Sequence, residues 1–197
     1  MRREDRRDEL LRHAIDVFGR LGFRNATTSE LARAAGVSEA LLYQHFPSKQ
    51  SLLVACIERI GDEFYTALEA LLAAGQDDPA RTFVGIVSRL ERFVAARPEI
   101  QRLSLVILAE LEDDEIRAAT RAMIEQNVEL LARAIRRGQQ RGVLRNDQNA
   151  DGLAWLLVGM YQLFGVMQRL GNLDKLGAEA LAPLAAAFLP PAEAPRG

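Results

Sequence analysis

The chain has 197 residues, of which 49% are hydrophobic, so it can bury a substantial core without crosslinks or metal. Its single cysteine, Cys56, excludes an internal disulfide framework. The net charge of −2 gives no general affinity for polyanions; only residues 1–50 carry a basic excess, with 9 Lys and Arg against 7 Asp and Glu, while the remainder has 16 against 20.

Ala, Leu, Arg and Glu dominate and long stretches lack proline, which favours an all-α chain. The first 22 residues read as a helix, with Leu10, Leu11, Ala14, Ile15, Phe18 and Leu21 at helical spacing and Gly22 as its stop. The N-terminal "MRREDRRDELLRHAIDVF" mixes acids and bases and holds no apolar signal core. Thr27 and Glu30 have the spacing of a capping box, which opens a short helix from Thr28 to about Ala35. Gly36 suits the left-handed residue that ends it. Ser38 caps a third helix running to about Phe46. Pro47 breaks the chain, and "PSK" starts a longer helix from Lys49 to about Ala74. Cys56 sits in its apolar run "SLLVACIERI" and reads as a small buried hydrophobe.

"AGQDDPA" is the best linker or inter-helix loop. Beyond it, helices are expected near 80–96, 98–111, 113–141, 148–171 and 174–188, followed by a frayed tail over 191–197. "ELEDDE" (110–115) lacks a nearby histidine and reads as a helix start rather than a metal site. "RRGQQRG" reads as a solvated helix end rather than a nucleic-acid patch. The most apolar run, Gly152–Met167, has 16 residues, short of the about 20 that a membrane span needs. A cytoplasmic protein without a membrane partner is expected.

With Leu42 at the centre of the buried face of the third helix, Phe46 lies about 40° away and is buried too. Ala40 and Gln44 then point outward, flanked by Leu41 and Tyr43. Two short helices joined through Gly36, with Val37 plugging between them, make a helix-turn-helix whose second helix can enter a major groove. Geometry alone leaves an ordinary helical hairpin equally open.

The stretch "TTSELARAAGVSEALLYQHFPSKQSLL" (27–53) resembles the DNA-binding region of TetR-type transcriptional regulators, and "AIDVFGRLGF" (14–23) matches the helix before it. The resemblance implies a three-helix DNA-binding domain over residues 1–50 and a helical ligand-binding and dimerisation domain over 51–190. It implies phosphate contacts from Thr28, Tyr43, His45 and Lys49, each able to donate a hydrogen bond to a phosphate oxygen. Base reading falls to Glu39, Ala40, Leu41 and Gln44: Gln44 can pair with adenine, Glu39 can accept from cytosine N4, and Leu41 can meet a thymine methyl. The departure is that no Arg or Lys lies between Ser38 and Phe46. Arg24, Arg33 and the N-terminal Arg2, Arg3, Arg6 and Arg7 are the cations left to reach phosphate or minor groove.

The family also implies a homodimer on a roughly palindromic operator and an unknown small-molecule effector. The expected dimer surface comprises Leu153, Leu156, Leu157, Met160 and Phe164 with Leu181, Leu184 and Phe188. The expected pocket lining is Phe83, Phe93, Leu103, Ile107, Trp155, Tyr161 and Met167, so apolar that an apolar ligand suits it, though large apolar residues at helical spacing are usually plain core. No metal or cofactor site is expected. The sequence holds no phosphate loop, metal-ligand spacing or nucleophile–base pair, so an enzyme is disfavoured. A helical sensor with a vestigial DNA head is the other competitor, favoured by Glu39 and the acidic total charge.

Overall fold

The structure is a computed structural model that describes residues 3–74, 96–172 and 175. Seven α-helices have described bounds: α1 (Arg3–Leu21), α2 (Thr28–Ala34), α3 (Glu39–His45), α4 (Lys49–Ala74), α5 (Pro98–Ala109), α6 (Asp114–Gln140) and α7 (Ala150–Arg169). No strand occurs among the described residues, and the all-α reading holds. The helices expected near 80–96 and 174–188 lie outside the described residues.

The chain forms two compact units, one of Met1–Phe64 with Arg97–Ile124 and the other of Tyr65–Ala96 with Glu125–Gly197. In the first, one face of α1 (Leu10, Leu11, Ala14, Ile15, Phe18) is buried with Leu31, Leu42, Phe46, Leu52, Leu53, Ile57, Ile100, Leu103 and Ile107. This core joins α1, the two short helices, the start of α4 and α5. It extends well past residue 50, because α2 and α3 are too short to bury their apolar faces alone. Cys56 is fully buried there, and burial pushes its thiol well above the usual range.

Local signals set the short helices. The Thr27 hydroxyl accepts from the Glu30 N–H at 3.2 Å, and the Thr27 N–H donates back to the Glu30 carboxylate at 2.9 Å. Gly36 adopts φ +64°, where a Cβ would be strained, and lets the Val37 N–H reach the Ala32 carbonyl at 3.0 Å. Ser38 caps α3 by accepting from the Leu41 N–H at 3.2 Å. Ser48 and Ser51 cap α4 reciprocally: the Ser51 N–H reaches Ser48 Oγ at 2.9 Å and the Ser48 N–H reaches Ser51 Oγ at 3.0 Å.

In the second unit, α6 and α7 contribute Val128, Leu131, Ile135, Leu153, Leu157, Met160 and Phe164 to the buried set. Their connection is tied down by Gln139, whose side-chain amide donates to the carbonyls of Arg145 (2.8 Å) and Gln148 (2.9 Å). Arg136 spans to Asp151 at 2.8 Å. The 20 residues of α7 match a membrane span in length and hydropathy, longer than the apolar run read from sequence. Its buried Leu153, Ala154, Leu157 and Phe164 are what a core helix shows.

Candidate nucleic-acid interface

On α3, Leu42 and Phe46 are each 3% exposed and anchor the helix to the core. Glu39, Ala40 and Gln44 are exposed, Leu41 is half-buried and Tyr43 keeps 46% of its surface. The helical phase expected from sequence is the phase observed. One turn of apolar anchor thus holds out a face of one carboxylate, one amide, one phenol and two small or aliphatic groups.

A shallow surface depression lies beside this face. Its floor is Leu31, Leu42, Phe46 and Leu52, and its rim is Thr28, Tyr43, Ser48 and Lys49. Three of the four residues expected at phosphate are therefore gathered from three helices around one depression. His45 is not among its lining residues; it is half-buried, with its ring 6.3 Å from that of Phe46. Ser48, which caps α4, also belongs to the rim.

Two of these groups already have partners. The Lys49 ammonium donates to the carbonyl of Ala26 at 3.0 Å and of Arg24 at 3.4 Å, and stands 4.7 Å from the centre of the Phe23 ring. It pins the α1–α2 loop to the start of α4 and leaves one of its three N–H bonds for another acceptor. The Thr28 hydroxyl donates to Glu39 Oε2 at 2.9 Å, joining the first residue of α2 to the first of α3.

Three of the arginines have partners as well. Arg6 pairs with Glu9 at 2.9 Å, and the Arg7 guanidinium lies over the Phe46 ring at 5.2 Å. Arg24 pairs with Glu110 at 3.3 Å. Arg33 is exposed at the end of α2. Arg2 lies outside the described residues, as does the side chain of Arg3.

Sequence reading missed the role of the acidic stretch after α5. Glu110 holds Arg24, and both Asp113 oxygens accept from the Gln50 amide at 2.8 Å. Asp113 also caps α6, accepting from the N–H groups of Glu115 (3.0 Å) and Ile116 (3.1 Å). The Ile116 N–H is the largest influence and holds its carboxyl below the usual range, opposed by desolvation and aided by the Gln50 amide. The helix-start reading of "ELEDDE" was right for Asp113 and incomplete, since its partners on the reading head lie 63 and 86 residues away.

The expected pocket residues are not gathered in one unit. Leu103 and Ile107 are buried in the core of the first, beside α1, at 0% and 4% exposure. Trp155 and Met167 belong to the second, Trp155 being half exposed and Met167 half-buried. Phe83 and Phe93 lie outside the described residues, as does the side chain of Tyr161.

Of the expected dimer stripe, Leu153, Leu157, Met160 and Phe164 are buried within their own chain, at 9% exposure or less. Leu156 alone of the described stripe is exposed, at 59%. The open apolar face of α7 is Trp155, Leu156, Leu163, Val166 and Leu170, with Gly152 and Gly159 between them. All fall within about 100° of arc. Leu181, Leu184 and Phe188 lie outside the described residues.

Residues 10–56 match the family model described as bacterial regulatory proteins, tetR family. Over 140 residues the chain is 31% identical to the nucleoid occlusion factor SlmA of Escherichia coli O1:K1 / APEC, an alignment covering 71% of this chain and 70% of that one. The chain belongs to the TetR family. Its fold is similar to that of reduced E. coli NemR, with a TM-score of 0.80, 21% identity and coverage of 95% of this chain and 100% of that one. It is also similar to FadR from Bacillus subtilis in complex with stearoyl-CoA, with a TM-score of 0.76, 15% identity and coverage of 90% and 94%. As a TetR-family protein the chain is a DNA-binding transcriptional regulator with an N-terminal helix-turn-helix. Its α3 carries one carboxylate, Glu39, and neither Arg nor Lys.

Proposed function

We propose that the chain works as a cytoplasmic homodimeric repressor that reads a roughly palindromic operator and is released by a small, largely apolar ligand. Residues 1–50 form the reading head, and 51–190 bind the ligand and the partner. The carrying observation is the split face of α3: Leu42 and Phe46 are buried while Glu39, Ala40 and Gln44 project beside a hollow rimmed by Tyr43, Ser48 and Lys49. A buried anchor with a small outward Ala40 lets the helix approach base edges closely. Gln44 pairs with adenine, Glu39 accepts an amine proton, and Leu41 meets a thymine methyl. Tyr43, His45 and the remaining N–H of Lys49 hold phosphate.

The open apolar face of α7 supports the dimer, because such a stripe is covered in most folded proteins. The ligand reading is supported by Gln101, whose buried side-chain nitrogen has no hydrogen-bond partner, a group that a bound molecule can satisfy. FadR, similar in fold, is seen with stearoyl-CoA, whose acyl chain is the apolar chemistry proposed here.

Selection of bound sequences from a random DNA pool tests the reading. A palindromic consensus whose binding weakens with salt supports it; absence of any selected sequence overturns it. Tyr43→Phe should weaken all sites alike, and Gln44→Ala should change base preference. A second reading, action in nucleoid occlusion, is favoured by the 31% identity to SlmA. It predicts misplaced septa in a deletion strain, where the repressor reading predicts changed transcript levels.

A further inference from the structure

The Thr28 hydroxyl has one proton, and it is given to Glu39 Oε2 at 2.9 Å. A hydrogen bond to an ionised carboxylate is shorter and stronger than one between neutral groups. It crosses from α2 to α3, so it fixes the Glu39 side chain against a second helix rather than leaving it to its own rotamers. Glu39 sits in the first turn of α3, where a carboxylate is favoured by the free N–H groups. With Oε2 held, Oε1 of this exposed side chain remains as an acceptor.

We propose that Thr28 is a positioning residue for Glu39 rather than a phosphate contact, and that the pair makes the head selective for cytosine at one position in each half-site. The proposal rests on the reading of α3 as the groove helix. A carboxylate only accepts, so guanine O6 and N7 and thymine O4 repel it. Adenine offers an N6 donor beside its own N7 acceptor, whereas cytosine offers an N4 donor with no major-groove acceptor on the same base. Cytosine is therefore the base that this oxygen tolerates best. No cation between Ser38 and Phe46 is available to neutralise it. Discrimination comes as much from rejecting the other bases as from binding cytosine.

The test is selection from a random pool, followed by titration of the best site at several salt concentrations, with the wild type and Thr28→Val, Thr28→Ser, Glu39→Gln and the Thr28→Val/Glu39→Gln pair. Thermal melting of each variant checks the fold. Glu39→Gln should relax the preference for cytosine at one position per half-site by about tenfold or more. Thr28→Val should relax the same position, leave the salt dependence unchanged, and add little to Glu39→Gln in the double variant. Thr28→Ser keeps the hydroxyl and should keep the preference. If Thr28→Val instead weakens every sequence equally and leaves the cytosine preference intact, Thr28 is a phosphate contact and the proposal falls. If the wild type selects sequences with no cytosine preference that Glu39→Gln alters, the proposal falls while the reading head stands. If the wild type selects nothing, both fall.

Discussion

Leu156 and Leu157 are adjacent on α7 and differ in one respect that a partner would feel. Leu156 keeps 59% of its surface and Leu157 keeps 2%. A leucine taken wholly from water contributes about 1.5–3 kcal/mol, so covering the open part of Leu156 contributes about 1–2 kcal/mol per protomer. A two-fold axis counts that contribution twice. Leu156→Glu removes it and sets two carboxylates against an apolar surface, so the dimer should lose at least about 3 kcal/mol, which is about a hundredfold or more in dissociation constant. Because the side chain is exposed in the single chain, the melting of the monomer should hardly change. Leu157→Ala should do the opposite, costing about 2–5 kcal/mol of fold stability while the folded fraction still pairs. Sedimentation equilibrium over a concentration series, with circular dichroism melts of the same samples, reads both effects. A Leu156→Glu protein that dimerises as tightly as the wild type would refute the placement of the partner on this face.

Three further outcomes are expected. Phe46→Ala should cost about 3–5 kcal/mol in urea unfolding, because the ring is 3% exposed and also seats the Arg7 guanidinium; a loss under about 1 kcal/mol would deny that it anchors α3. Glu110→Gln should free Arg24 for phosphate and steepen the salt dependence of DNA binding by about 0.9 per protomer, and an unchanged slope in competition titrations would show that Arg24 stays off the DNA. Glu30 and Asp113 are both held below the ordinary 4.5 and 3.8, first by the backbone N–H groups of Thr27 and of Ile116 respectively. Their folded values are depressed, so their contribution is present above the ordinary values and is lost as pH falls through the folded ones. Urea midpoints should therefore hold steady above about pH 5 and drop below it, with Glu30→Gln flattening part of that drop.

What was legible in the sequence was what depends on near neighbours. Thr27 and Glu30 are three residues apart, and the cap they predict is the cap they form. The α3 phase followed from one assumption, that Leu42 faces inward, and every other residue fell into place by rotation. The partners of Lys49, Glu110 and Asp113 lie from 23 to 86 residues away. Two of the carbonyls involved belong to a loop that carries no sequence mark for accepting a cation. On α7 the difficulty was different. A helix apolar nearly all round does not reveal which arc meets its own core. The stripe through Leu153, Leu157, Met160 and Phe164 was the more regular one, and it is the buried one. Leu103 and Ile107 illustrate the same ambiguity, since large apolar residues at helical spacing suit a pocket wall and a core equally.

On the proposed ligand release, the seam between α1 and α5 is the route by which the reading head would move. Around it lie the surface pair Arg24–Glu110, with Arg24 78% exposed, and Phe18, Leu103 and Ile107, all buried in one core. An exposed pair contributes about 0–1 kcal/mol, whereas each buried side chain contributes about 1.5–3. The core, not the ion pair, must therefore carry any displacement of α5 into α1. The two helices are already tight at Gly19, where a Cβ would stand 3.1 Å from the Glu99 carbonyl and 3.2 Å from Arg102 Cβ. Gly19→Ala gains about 1 kcal/mol of helix propensity but must push a backbone carbonyl aside, at a cost of about 1–3 kcal/mol. We predict a net loss of about 1 kcal/mol and a shift in operator affinity with the salt slope unchanged, since no group facing the DNA is altered. Chemical denaturation and operator titration measure the two. A Gly19→Ala protein that is more stable than the wild type and binds its operator identically would mean that the seam yields freely, and a seam that yields cannot transmit.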